Sequence, residues 1–380
     1  AITHARLRWL TAGFLAGGTA LMAASLAGTA WWAKLPFLDR LVSLFPVRFK
    51  GLPGAEEGFN PNAVGGSLIL FLPLVLTLAA HFMRPQNREH RGQKLALAGI
   101  LFLLFAMGGT LLLSQSRGAW LGFCSGVALL LFVRYRWFRW TSIITAVTGL
   151  TTALIYKPWL GWAQPQGNGF VAGTEMSFAA RLEIWTRAIY GVQDFPFTGM
   201  GMNAFRKVVN VLYPLFTISP ETDISNSHNQ LLQTALDLGI PGLVAYVAIW
   251  AATFWMLWRI WRKTQDTFHR ALASGLAAGL IAQFVFGIND ATALGAKVGV
   301  FWWIALALAA SLDRLERNGS REAAQSTRTT GRAWELPLLW ILVSLVSISF
   351  VGDHPYLALG FAILGGSYLG FEAVRTFQPG

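Results

Sequence analysis

Cysteine, charge and acidic residues are all scarce in this chain, and each scarcity excludes something. The 380 residues include a single cysteine, Cys124, inside an apolar run. One thiol forms no internal disulfide and no C-x-x-C redox pair. Charged residues make up 13% of the chain, against roughly 25% in a soluble globular domain. Acidic residues number 18 against 30 Lys and Arg. In a soluble protein the resulting net charge of +12 would suggest nucleic acid. Here the charge is too thinly spread over apolar sequence, and a membrane accounts for it better. No Walker loop, G-x-G-x-x-G, H-E-x-x-H or G-x-S-x-G stands in a fitting context. There is no D-x-D, no internal repeat and no low-complexity tract.

What is present is apolar. Hydrophobic residues are 54% of the chain and the mean hydropathy is +0.49. Apolar runs occur at 9–32, 63–82, 95–113, 118–133, 141–156, 231–258, 271–289, 298–312, 336–351 and 355–373. About 20 apolar residues cross a bilayer as a helix. The pattern predicts an all-α, polytopic transmembrane helical bundle of about ten spans. The runs at 118–133, 298–312 and 336–351 are short, which suits tilted partners or partly re-entrant segments. Many of the 17 tryptophans end such runs, among them Trp31, Trp32, Trp137, Trp140, Trp159 and Trp162. That is the aromatic belt of a membrane interface. The first residue is Ala, and Arg6 and Arg8 precede a run too long for a signal-peptide core of about 7–15 residues. It reads as a span, with further residues expected before Ala1.

Charge then orients the spans. If they alternate, the termini and the connections 84–94, 134–139, 259–270 and 313–335 share one face. That face holds 19 Lys and Arg against 7 Asp and Glu, a net of +12; the remaining 11 and 11 cancel. By the positive-inside rule this face is cytoplasmic. The other face carries 33–62, the tight turn 113–117, the loop 157–230 and the turns 289–297 and 352–356. A loop of about 70 residues far exceeds the usual connection of about 4–6 and marks a functional segment. It divides the chain into N-terminal helices (1–156), a catalytic loop (157–230) and C-terminal helices (231–380). A loop helix is predicted near 178–192. Ser177 is its N-cap, and Leu182, Trp185, Ile189 and Val192 lie on one face. Asp194-Phe195-Pro196 ends it and Gly199-Met200-Gly201 turns the chain. The polar stretch 318–332 reads as a flexible connection.

Three polar features stand on the outer face. Arg117 lies in Ser114-Gln115-Ser116-Arg117-Gly118, between two spans with almost no loop. It is either a snorkelling anchor or an anion-binding group; its outer position and its flanking serines favour the anion. Arg187 stands four residues after Glu183, the favourable order for a helix pair, so it reads as structural. Arg181 has no partner at i±3 or i±4 and is a candidate phosphate ligand, with a solvated loop arginine as the alternative. His228, in Ser225-Asn226-Ser227-His228-Asn229-Gln230, begins a strongly apolar run. It is a candidate general base or a helix-capping histidine. Asn229 and Gln230 can orient it or bind hydroxyls. A divalent cation at Glu221 and Asp223, or at Glu56 and Glu57, is the weaker alternative, because such carboxylates are usually solvated. Two arginines and a histidine at an outer membrane surface suit displacement of a lipid-linked pyrophosphate.

These pieces resemble the O-antigen ligase and polymerase family of bacterial envelope glycosyltransferases. The matching segments run in order over about 60–245. They are Asn60-Pro61-Asn62, Ser114-x-Ser116-Arg117-Gly118-Ala119-Trp120-Leu121-Gly122 and Arg181-x-x-Ile184-Trp185. Next come Pro196-Phe197-Thr198-Gly199-Met200-Gly201-Met202-Asn203-x-Phe205 and Ser227-His228-Asn229-x-Leu231-Leu232-Gln233. Leu236-x-x-Gly239-Ile240-Pro241-Gly242 closes the set. The resemblance implies a lipid-carrier glycosyltransferase (GT-C-like) fold of about twelve spans, with a large periplasmic loop. It implies inverting transfer of a glycan from undecaprenyl pyrophosphate to an acceptor, without metal or cofactor, at the periplasmic face of the inner membrane. Arg117 and Arg181 would match the residues that bind the donor pyrophosphate and His228 the essential loop histidine. Asn62, Ser116, Asn229 and Gln230 would support them. The acceptor is expected to be a glycolipid, the lipid A core. A second lipid-linked glycan (polymerase) and a protein hydroxyl are the alternatives. Membrane lipids are partners and nucleic acid is not. A glycan transporter would need more polar residues within the spans, where Gln283 and Asn289-Asp290 are the main ones. A pigment-binding scaffold would need histidines at mid-span.

Overall fold

The computed structural model describes residues 3–31, 40, 43–48, 50–51, 58–84, 91–156, 178–219, 222–291, 298–321 and 335–376. Among them thirteen helices follow one another: α1 His4–Gly28, α2 Pro61–Leu68, α3 Leu72–Phe82, α4 Arg91–Ser114, α5 Arg117–Arg134 and α6 Arg136–Tyr156. Then come α7 Phe178–Asp194, α8 Ala204–Leu212, α9 Gln230–Lys263, α10 Thr267–Asn289, α11 Gly299–Arg321, α12 Glu335–Ser349 and α13 Pro355–Thr376. The described residues contain no strand, only one isolated bridge between Thr29 and Phe59. Seven segments are long and apolar enough to cross a membrane: α1, the pair α2–α3, α4, α5, α9, α10 and α13. The shorter apolar helix α12 does not reach that length. The sequence runs at 141–156 and 298–312 fall on α6 and α11, outside the seven. The chain is an all-α polytopic membrane protein, as its composition demands.

Two compact units make up the chain. One comprises residues 1–130, 253–286 and 297–327; the other comprises 131–252, 287–296 and 328–380. In the first, small residues let helix backbones touch. A Cβ on Gly122 would stand 2.4 Å from the Ala282 carbonyl oxygen, and one on Gly126 2.5 Å from that of Ala278. One on Gly279 would stand 2.2 Å from the Leu70 carbonyl oxygen. Lipid tails are as apolar as leucine, so close van der Waals approach of this kind is what holds membrane helices together. Phe14, Phe71 and Phe301 cluster beside these contacts, with Phe14 and Phe71 ring centres 4.6 Å apart.

The second unit holds the loop helices against α9, α12 and α13. Its core gathers Ala180, Ile184, Ala188, Ile189 and Val192 from α7 and Phe205 and Val209 from α8. Leu232, Leu236, Ile240, Leu243 and Val244 join them from α9. The buried stripe of α7 differs from the expected one. Ile184 and the two alanines lead it, whereas Leu182 and Trp185 are only partly buried. Alanine carries little hydrophobicity in a periodicity count, yet it permits the closest approach. Ser177, the expected N-cap, lies outside the described residues, as do Glu56, Glu57, Glu221 and 322–334.

Two of the expected turns lock together. α9 breaks at Gly239, whose φ is 70° and ψ −177°, with Pro241 just beyond. Gly199 has φ +66° and sits against it: a Cβ there would stand 2.5 Å from the backbone nitrogens of Leu238 and Gly239. The Met200 N–H donates to the Leu236 carbonyl at 2.6 Å and the Ile240 N–H to that of Pro196 at 2.8 Å. The break frees backbone groups of α9, and the turn satisfies them. Trp340 in α12 donates its indole N–H to the Pro241 carbonyl at 3.0 Å.

Glu183 fixes the loop beyond α8. Its carboxylate accepts the Phe216 N–H at 2.5 Å, the Thr217 N–H at 3.0 Å and the Thr217 hydroxyl. Arg187 lies 3.5 Å away as the expected i,i+4 partner, and its Nε donates to the Pro214 carbonyl at 2.8 Å. Burial raises the Glu183 carboxyl. The Thr217 hydroxyl, the two N–H donors and Arg187 outweigh burial and hold it below its ordinary value of 4.5. A depressed carboxylate contributes stability above its ordinary value and loses it as pH falls through the folded value.

Two outcomes follow in detergent-solubilised protein. Gly199→Ala meets backbone at a left-handed φ and lowers Tm more than Gly201→Ala, which shares a positive φ (+92°) but has nothing within 4 Å. The positive φ alone costs about 1 kcal/mol. Glu183→Ala lowers Tm at neutral pH by an amount worth about 1–3 kcal/mol. The gap between wild type and this variant narrows as pH drops below 4.5. A gap that is constant with pH would show that the carboxylate charge does not hold the loop.

Candidate active site

His228 sits in a turn whose every neighbour has a bonding role. Its φ is +49°, in the left-handed region, which costs a non-glycine residue about 1–2 kcal/mol. The Asn226 side chain offsets that, accepting the His228 N–H at 2.7 Å. Asn229 caps α9: its Oδ1 accepts the N–H groups of Leu231 and Leu232 at 3.0 and 3.1 Å. The Ser227 hydroxyl donates to the Asn229 carbonyl at 3.0 Å. Below the turn a buried polar chain begins. The Ser227 N–H donates to Gln233 Oε1 at 2.8 Å, and Gln233 Nε2 donates to Asp237 Oδ1 at 2.9 Å. The Asp237 carboxylate also accepts the backbone N–H of Asn203. Ser227, Gln233 and Asp237 are all buried.

The turn docks on the end of α10. Asn229 Nδ2 donates to the Ile288 carbonyl at 3.1 Å and Asn226 Nδ2 lies 3.5 Å from that of Ala291. Gln230 packs its Cβ 3.0 Å from where a Gly287 side chain would begin. This brings His228 Nδ1 to 3.1 Å from Asp290 Oδ1, with both side chains 19% exposed. That exposure shields the pair from bulk water and leaves it reachable. A carboxylate only accepts, so the proton sits on Nδ1 and the lone pair on Nε2. No described residue hydrogen-bonds Nε2. A carboxylate that fixes the tautomer and leaves Nε2 open is the arrangement of a general base.

Asp290 is the residue that sequence reading missed. It appeared there only as a polar residue at a span end. The signal was available, since span alternation puts residues 228 and 290 on one face. Their separation of 62 positions hid the pairing.

Arg181 stands on α7, in the same unit as His228. Its Nε is buried with no hydrogen-bond partner among the described residues. Nearby cations do have partners. Arg187 is taken by Glu183, and Arg206 grips Asp223 through Nε–Oδ1 at 2.7 Å and a second bond to Oδ2. Asp223, offered above as a cation ligand, therefore has both oxygens engaged by an arginine.

Asn62, Ser116 and Arg117 belong to the other unit. Ser116 is buried, and its hydroxyl accepts the Ala119 N–H at 3.3 Å to cap α5. A Cβ on Gly65, three residues past Asn62, would meet Ser114 Oγ at 2.8 Å and Ser116 Cβ at 3.2 Å. This contact packs α2 against the 114–118 turn. Asn62 Oδ1 is buried without a partner among the described residues. Arg117 is exposed at the first position of α5. Ser116 is thus a structural cap, and Arg117 stands exposed beside it.

Two known proteins are similar to this chain in sequence. An uncharacterised protein of Haemophilus influenzae is 26% identical over 168 residues, covering 41% of this chain and 42% of its own length. The teichuronic acid biosynthesis protein TuaE of Bacillus subtilis is 24% identical over 218 residues, covering 55% of this chain and 41% of its own. The matches thus span about two-fifths of the length of each relative. The model of the O-antigen ligase family matches residues 101–247, from α4 through Arg117, Arg181 and His228 into α9. Over that stretch, under half of its length, the chain is similar to the O-antigen ligase family.

Proposed function

We propose that the protein transfers a glycan from undecaprenyl pyrophosphate to an acceptor hydroxyl, with inversion and without a metal, at the periplasmic face of the inner membrane. The preferred acceptor is the lipid A core, which makes the reaction O-antigen ligation. One observation carries the reading: His228 presents an open Nε2 while Asp290 holds Nδ1 at 3.1 Å. In the proposed step the acceptor oxygen bonds to the anomeric carbon of the donor sugar and passes its proton to His228 Nε2. The bond from that carbon to the pyrophosphate oxygen breaks on the opposite side, and both electrons leave with the lipid pyrophosphate. Arg181, whose Nε lacks a partner among the described residues, offsets the charge on that leaving group. Arg117 is a second phosphate-binding candidate, on the separate ground of its exposure at the start of α5. Asp290 is a positioning residue that acts through His228.

The similarity to a protein named for teichuronic acid biosynthesis favours a second reading, polymerisation, in which the acceptor is another lipid-linked glycan. Both readings use the same donor chemistry.

Reconstitution with an undecaprenyl-pyrophosphate glycan and each acceptor, with and without chelator, tests the proposal. Turnover is expected to survive chelator. His228→Ala lowers kcat by about 10²–10⁴-fold, the usual contribution of a general base. Asp290→Asn lowers kcat with KM retained, and Asp290→Glu restores part of it. Arg181→Ala and Arg117→Ala each reduce kcat/KM. Unchanged turnover in His228→Ala removes the base, and turnover abolished by chelator removes the metal-free step. In a Cys124→Ser background, a cysteine at position 228 reacts with an impermeant thiol reagent from outside the cell. Labelling only from the cytoplasm would overturn the proposed face.

A further inference from the structure

A second cluster of titratable side chains lies in the unit formed by residues 1–130, 253–286 and 297–327 and shares no residue with the candidate site above. His4 opens α1, where the Thr3 hydroxyl accepts the Arg6 N–H at 3.3 Å and fixes the first turn. Asp266 precedes α10 and caps it, its Oδ1 accepting the N–H groups of Phe268 and His269 at 2.7 and 3.0 Å. His269 follows in the first turn of α10 and is buried, at 2% exposure. One ligand atom from each of His4, Asp266 and His269 lies within 4.8 Å of the others. Glu316, on α11, stands behind them: its Oε1 is 2.5 Å from His269 Nδ1 and accepts the Thr264 hydroxyl at 2.9 Å.

The tautomer follows from that outer carboxylate. Glu316 accepts, so His269 carries its proton on Nδ1 and turns the Nε2 lone pair toward His4. His269 Nε2 and His4 Nδ1 are 3.2 Å apart. Two nitrogens on one tetrahedral zinc, each at about 2.0–2.1 Å from the metal, stand roughly 3.3 Å apart. A carboxylate behind a ligating imidazole is the usual support of a metal-bound histidine. Asp266 Oδ1 is committed to the helix cap, and Oδ2 has no hydrogen bond among the described residues. Arg8, whose guanidinium lies 5.5 Å from the Phe268 ring centre, opposes a dication, and the two carboxylates offset it. The alternative is a histidine pair, with ring centres 4.9 Å apart, in which His4 Nδ1–H donates to His269 Nε2 and joins α1 to α10. That alternative leaves the second oxygen of Asp266 unused.

We infer that His4, Asp266 and His269 bind one divalent transition ion of the zinc class, with Glu316 orienting His269. An N₂O donor set suits zinc better than magnesium or calcium, which take oxygen ligands. The site joins the N-termini of α1 and α10 and is independent of the glycan-transfer reading.

Full-length protein in detergent, stripped with chelator and titrated with Zn²⁺ or Co²⁺, tests this. One equivalent is expected to bind, to raise Tm and, as Co²⁺, to give the visible absorption of a tetrahedral site. His4→Ala removes an exposed ligand and Asp266→Asn keeps the helix cap while removing the charge. Each should weaken binding at least tenfold and abolish the Tm rise, with His354→Ala as an unaffected control. Wild type that retains no zinc after dialysis, or variants that bind as wild type does, would overturn the site. Glycan transfer by the stripped protein distinguishes failure here from failure of the proposed function.

Discussion

The buried hydrogen-bond chain from Ser227 through Gln233 and Asp237 to Asn203 is the constraint on which the candidate site depends. A buried carboxylate or amide without partners costs several kcal/mol, so each member holds the next. The chain ties the turn carrying His228 to the first segment of α9. It ties that segment in turn to the 196–203 turn. The Gly199–Gly239 contact does the same with backbone alone. His228 is therefore placed by four pieces from three separate stretches of sequence: the 225–229 turn and the start of α9 that follows it, the 196–203 turn and the end of α10. Only the last supplies its carboxylate partner.

Close backbone approach is the second recurring device. Gly122, Gly126 and Gly279 bring helices together in one unit. Gly366 and Gly370 do so in the other, where a Cβ would stand 2.6 and 2.1 Å from the carbonyl oxygens of Val244 and Ala248. These contacts replace the hydrophobic drive that a lipid environment withholds. They also explain why a chain so apolar needs few polar residues within its spans.

Much of this was legible in the sequence, for identifiable reasons. The all-α class, the loop helix expected near 178–192 and found at 178–194, the Glu183–Arg187 pair and the turn at Gly199 follow from local periodicity and spacing. The unpartnered state of Arg181 was read from its i±3 and i±4 neighbours, and the structure leaves its Nε without a partner among the described residues. What the sequence hid is non-local. Asp290 meets His228 across 62 residues, and Glu316 meets His269 across 47. Local pattern cannot reveal such pairs, because helix order and register decide them. The buried stripe of α7 was read in part: Ile189 and Val192 are buried as expected, while Ala180 and Ala188 count for little in hydropathy and for much in packing. The glycine spacing at 118, 122 and 126 was visible and went unused.

The central claim is that His228 and Asp290 act as one base. A double-mutant cycle on kcat, using His228→Ala, Asp290→Asn and the pair, tests it most directly. If Asp290 acts only through His228, the double variant is no slower than His228→Ala alone. Losses that multiply in the double variant would show that Asp290 acts independently, and would contradict the account.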